Sequence, residues 1–142
     1  MRLEPQTYAL TAVTHQRRRV FQRTEIAELM IATLLRHRDL ERFVLQGFVV
    51  MPDHLHVLIT PVESIEKAAQ LVKGGFSFAV RKLYSGEVWQ PGYHAHRVTG
   101  CDDFDNQLGY IANNPVRKHY VDYPHVHGSG RWRLDVRPEY LV

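Results

Sequence analysis

The chain has little of what could staple or anchor it. It holds a single cysteine, Cys101, so no disulfide framework can form within it. That predicts a reducing compartment, most simply the cytoplasm. Met1 to Gln6 lack a basic segment followed by an apolar run, so no signal peptide is expected. No apolar stretch is long enough to cross a bilayer, which excludes a membrane-spanning helix and predicts no membrane partner. No repeat, low-complexity tract or Gly/Ser linker divides the 142 residues. One domain, 1–142, is expected, with a core over about 8–121 and an irregular tail over about 122–142. The charge excess is also small. A formal +3 and a pI near 9.2 permit a polyanionic partner without demanding one.

What is present is more telling. A hydrophobic content of 44% suffices for a core without disulfides or structural metal. Basic residues cluster: Arg17, Arg18, Arg19 and Arg23 near the start, Arg81 with Lys82, Arg117 with Lys118, and Arg131, Arg133 and Arg137 in the tail. Histidines number nine, so each pattern among them must be weighed.

Tyr8 to Thr14 is β-branched and aromatic and reads as a strand. Ile26, Leu29, Met30, Thr33 and Leu34 recur at three- and four-residue spacing, predicting an amphipathic helix to about Leu40 with Thr24 as N-cap. Phe43 to Met51 and His54 to Thr60 read as two antiparallel strands joined by a tight Pro52-Asp53 turn. Ser64 is placed to cap a second helix, which Gly74-Gly75 would kink or interrupt before it resumes to Tyr84. Tyr93 to Val98 is a short fourth strand. Asp102-Asp103 opens a third helix, expected to stop near Asn114-Pro115. This order predicts an α+β, ferredoxin-like or RRM-like antiparallel sheet with helices on one face, plus an extra C-terminal helix. The other face is expected to be free for a site.

Residues two apart on a strand share a face. His54 and His56 therefore project together while Leu55 points into the core, and two neutral imidazoles so placed can share a divalent metal. Spacing alone leaves open that they are two solvent-facing histidines. Tyr110 and Asn114 lie four apart and share a helix face. A tyrosine hydroxyl can be a covalent nucleophile, but with an unperturbed pKa of about 10 it needs assistance. Asn114 has an amide oxygen to offer a metal. The alternatives are a half-buried helix tyrosine and an asparagine that ends a helix before proline.

Taken together, Met-Pro-Asp-His-Leu-His-Val-Leu at 51–58 and Tyr-Ile-Ala-Asn-Asn-Pro-Val-Arg at 110–117, with Lys73-Gly74-Gly75-Phe76-Ser77 and Val88-Trp89-Gln90 between them, resemble the single-tyrosine HUH transposases. The likeness is greatest to the branch associated with repetitive extragenic palindromes, and spans Tyr8 to Val121. It implies a metal-dependent single-stranded DNA endonuclease and strand transferase. His54 and His56 would bind Mg or Mn, and Asn114 matches the position of the third ligand. Tyr110 would attack a DNA phosphate, leaving a 5′-phosphotyrosine and a free 3′-hydroxyl. The implied partner is single-stranded, hairpin-forming DNA, met by a monomer or a homodimer. Lys73 and its glycines, Arg17, Arg18, Arg19, Trp89 and Arg117 are the candidate DNA contacts. A solvated basic turn at 17–19 and a packing role for Trp89 are the plain alternatives.

His94-Ala95-His96 is a second His-x-His, read as DNA-facing or exposed, since Ala95 anchors less well than Leu55. His125 and His127 fall in the tail. Three rivals remain at this level. A replication initiator or relaxase shares the chemistry but comes on longer chains. An inactive RRM-like nucleic-acid-binding module would tolerate Tyr110→Phe. An unrelated metal hydrolase would form no tyrosine adduct.

Overall fold

Alternation sets the sheet. A computed structural model describes residues 5–117 and 135–141, without the side chains of 115–117. The strands are β1 (Tyr8–Val13), β2 (Phe43–Met51), β3 (His54–Pro61) and β4 (His94–Arg97), and the helices are α1 (Thr24–Asp39), α2 (Ile65–Val80) and α3 (Cys101–Arg117). The sheet order is β2-β3-β1-β4, with every neighbouring pair antiparallel. This is the α+β, ferredoxin-like arrangement that the order of elements predicts.

β1, β2 and β3 send alternate side chains to two different cores. Leu10, Ala12, Leu55, Val57 and Ile59 pack under α1 and α2 against Ile26, Met30, Leu34, Val72 and Phe76. Ala9, Val49, Met51 and Leu58 face the other way and meet Phe104, Leu108 and Ile111 of α3, with Leu141. The second face is therefore not free, contrary to the expectation from sequence. It carries α3, because that helix presents its own apolar stripe at positions 104, 108 and 111. With both faces covered, β2 reads as a nearly unbroken apolar run.

Four local expectations are corrected. The N-cap of α1 is Arg23 rather than Thr24, and no side chain caps that end. Arg23 instead donates to the Leu83 carbonyl at 2.9 Å and pairs with Glu25. The second helix runs unbroken through Gly74-Gly75 and ends at Val80, short of Tyr84. Its predicted Ser64 cap is in place, accepting from the Lys67 amide at 3.1 Å. A Cβ on Gly75 would stand 2.9 Å from His37 Nε2, so this glycine serves close approach of α2 to α1 rather than a kink. Finally, α3 continues past Asn114-Pro115 to Arg117. Proline removes one backbone donor, but the face docked through Phe104, Leu108 and Ile111 supports the helix.

In the second described segment, Asp135 pairs with the edge of β2: its amide donates to Leu45 O at 3.0 Å and its carboxylate accepts from Leu45 N at 2.8 Å. Arg38 of α1 grips the same carboxylate at 2.7 and 3.0 Å. Among the described residues, no helix is long and apolar enough to cross a membrane.

Candidate active site

The Pro52-Asp53 turn delivers His54 as the first residue of β3, and the two-residue period puts His56 beside it on the α3 face while Leu55 enters the main core. His54 stands opposite Val13 and Met51, and His56 opposite Thr11 and Val49. Both histidines are only 6% exposed, so the solvent-facing alternative is excluded. On each ring Nδ1 is engaged. Asp53 Oδ1 lies 2.9 Å from that of His54, and Thr11 Oγ1 lies 2.7 Å from that of His56.

Tyr110 comes to the pair from α3. Its ring centroid is 5.0 Å from that of His56, with the planes at 56°. It remains 38% exposed, at an open hollow of about 310 Å³ shared with Asp105, Asn106, Gly109 and Asn113. Asn114 follows about one turn later on the same helix face and is buried.

Burial, followed by the charges of His54 and His94, lowers the His56 pKa to about 4. The ring is thus neutral at ordinary pH, the form that binds metals. Burial alone would raise the Asp53 carboxyl. The hydrogen bonds and charges of His54 and Arg17 outweigh it and hold that group below its ordinary value.

A divalent ion suits these donors. His56 Nε2 and the Asn114 side-chain amide nitrogen are buried and have no hydrogen-bond partner among the described residues. Rotating the amide by half a turn presents its oxygen instead, the atom a hard cation prefers. No group of three or more His, Cys, Asp or Glu side chains among the described residues could hold a metal. The donors on offer are therefore imidazole nitrogens and an amide oxygen.

The other candidates scatter. Arg17 reaches Asp53 at 3.3 Å, and Arg18 reaches Gln16. With exposed Arg19 they form a basic segment beside the Pro52-Asp53 turn, to which Phe21 N and Thr14 N bond. Lys73 donates to the Gln90 and Gly92 carbonyls at 3.2 and 2.5 Å and so clamps a loop, and burial lowers its pKa. Trp89 is a correction. Its ring is 8% exposed, packs on Phe21 and Phe76, and donates its N–H to Lys73 O at 3.0 Å, so it braces the core rather than stacking on bases. The Arg117 side chain, His125, His127, Arg131 and Arg133 lie outside the described side chains. His94 faces the same side as His56, across Thr11. His96 is bound to Asp103 at 2.9 Å, tying β4 to the start of α3.

Sequence reasoning missed Asp53, Thr11 and Asp103. The first adjoins His54 in the motif, a signal that was available. The other two needed strand register.

Comparison with known proteins follows this geometry. The family model described as "Transposase IS200 like" matches residues 4–114. The REP-associated tyrosine transposase of Escherichia coli (strain K12) is 26% identical over 118 residues, covering 81% of this chain and 69% of that protein. A solved structure of a REP-associated tyrosine transposase bound to a REP hairpin aligns with a TM-score of 0.70 at 20% identity, over 86% of this chain and 75% of the other. The crystal structure of a proposed transposase from Deinococcus radiodurans aligns with a TM-score of 0.59 at 21% identity, over 80% of this chain and 92% of the other.

Proposed function

The chain belongs to the IS200-like transposase family, and from that premise we propose that it cleaves and rejoins single-stranded DNA through Tyr110. The observation that carries this reading is the contact of the Tyr110 ring with His56, a buried neutral imidazole whose Nε2 has no hydrogen-bond partner among the described residues. His54, His56 and Asn114 would hold a divalent ion, Mg or Mn. Bound there, such an ion supplies Lewis-acid polarisation of a phosphoryl oxygen.

The chain's own residues do the rest. The Tyr110 oxygen attacks phosphorus and gives up its proton to solvent. A phosphorus–tyrosine oxygen bond forms as the bond to the DNA 3′-oxygen breaks, and that oxygen takes up a proton. The products are a 5′-phosphotyrosine and a free 3′-hydroxyl. Attack by another 3′-hydroxyl reverses the step and rejoins DNA. Phosphodiester replaces phosphodiester, so no nucleotide is consumed. Catalysis of this kind rests on in-line positioning and charge neutralisation. Docking α3 on the face that carries both histidines serves the first. Burial of His56, which keeps its lone pair available, serves the second.

The substrate proposed is a hairpin-forming element of the repetitive extragenic palindromic type, by analogy with the relatives named above. Arg17, Arg18 and Arg19 would contact its phosphates beside the site. The test mixes the protein with labelled single-stranded hairpin oligonucleotides and Mn, followed by a denaturing gel. A covalent protein–DNA band that vanishes with EDTA, with Tyr110→Phe and with His56→Ala is expected. Binding without any band across a broad set of hairpins would instead favour a non-catalytic nucleic-acid-binding module.

A further inference from the structure

We propose that Asp53 and Thr11 are positioning residues that fix His54 and His56 in the tautomer whose Nε2 carries the lone pair, so that both imidazoles meet a divalent ion through Nε2. This rests on the metal reading above and names what prepares it.

For His54 the donors and acceptors fix the proton. An ionised carboxylate only accepts. Asp53 Oδ1, 2.9 Å from His54 Nδ1, therefore requires the proton on Nδ1, and a neutral ring then has its lone pair on Nε2. The second carboxylate oxygen is taken by Arg17 at 3.3 Å, so the two partners together set the plane of the group. Arg17 is about three-fifths exposed, and an exposed ion pair adds little stability. Orientation is the better account of it.

The backbone supports that account. Gln16 and Arg17 both adopt left-handed φ, 54° and 51°, which L side chains rarely do. Such a turn persists when its surroundings over-determine it. Here His15 N bonds Val88 O at 2.9 Å, Arg17 N bonds Thr14 O at 3.0 Å, and Thr14 N bonds the Asp53 carbonyl at 3.0 Å. The turn and the Asp53 backbone are thus held as one unit.

For His56 the register supplies the partner, a hydroxyl that can accept from Nδ1–H. Thr11 stands directly opposite it on β1, with the hydroxyl 2.7 Å from Nδ1. If Nδ1–H donates to that oxygen, Nε2 again carries the lone pair, in the buried position where it has no hydrogen-bond partner among the described residues. Metal-bound histidines commonly use this device, with a carboxylate or another oxygen on the distal nitrogen.

Long-range proton–nitrogen NMR on uniformly labelled, metal-free protein tests the idea directly, at a pH well above the histidine range. Assignments would come from single His→Gln variants. Both His54 and His56 should be protonated at Nδ1. Asp53→Ala should shift His54 alone towards the other tautomer, and Thr11→Val should shift His56 alone. Asp53→Asn, whose amide oxygen still accepts, should retain the wild-type signature. Titration with Mn, followed by its electron paramagnetic resonance, should show affinity lowered roughly 10- to 100-fold in Asp53→Ala and Thr11→Val. The loss should be largely restored in Asp53→Asn and Thr11→Ser.

Protonation of wild-type His54 at Nε2 would overturn the proposal. So would Asp53→Ala and Thr11→Val variants that keep both tautomer and Mn affinity. A wild-type protein with the expected tautomers that binds no Mn would sink the metal reading instead, and with it the purpose assigned to these residues.

Discussion

At the scale of single residues, Tyr110 and His56 carry unequal structural duties. Tyr110 is partly exposed at the rim of α3, whereas His56 is enclosed between Thr11 and the tyrosine ring. Tyr110→Phe should therefore abolish the covalent adduct while changing unfolding free energy by less than about 1 kcal/mol, as measured by urea denaturation. His56→Ala should lose the adduct and also cost about 1–3 kcal/mol, because it empties a packed position. The histidine pair was legible in the sequence because a strand's period is two. The company each histidine keeps was not. Thr11 is 45 residues away from His56, and only β1–β3 register brings it opposite. Between the two readings of Trp89, base stacking and packing, the structure takes the second: the ring is drawn into the core by Phe21 and Phe76.

At the scale of elements, α2 offers a paired experiment on adjacent glycines. Gly74 is exposed, and a Cβ there would meet nothing within 4 Å. Gly74→Ala should stabilise the protein by about 0.5–1 kcal/mol through helix propensity, raising Tm by roughly 1–4 °C. Gly75→Ala should gain less than Gly74→Ala or lose stability, since its Cβ would press on His37 Nε2. Differential scanning calorimetry of the two variants separates these effects. If Gly74→Ala gains stability but loses hairpin affinity, the glycine is serving close approach of DNA. Propensity rules read the pair as a break because they weigh glycine's entropy and cannot see that α1 lies against α2. The order of the elements and the boundaries of β2 were recoverable from pattern. Caps and ends were less so, since Arg23 and Pro115 are decided by neighbours distant in sequence.

At the scale of the molecule, the segment at 135–141 binds distant parts of the fold together. Asp135 joins α1 to the edge of β2, and Tyr140 hydrogen-bonds Thr7. The Arg38 hydrogen bond holds the Asp135 carboxyl below its ordinary value, with the Leu45 amide assisting against burial. A depressed carboxyl stabilises the fold above its unfolded pKa and ceases to do so as pH falls through its folded one. Asp135→Asn should thus cost about 1–2 kcal/mol at neutral pH. The gap from wild type should close as pH falls below about 4, which urea unfolding across that range would reveal. Composition gave no hint of this tie, because nothing local distinguishes Asp135 from any other acidic residue in an irregular tail.

The sheet also divides the apolar interior unequally. The larger compartment lies under α1 and α2, and the smaller one under α3. Local opening is governed by how much buried contact holds an element. Amide hydrogen exchange should accordingly release α3 before α2, and Leu108→Ala should widen that difference while leaving α2 protection nearly unchanged. Scaffold and nucleophile-bearing helix should then have separate thresholds: α3 is expected to open at a lower free energy than the one that unfolds the molecule.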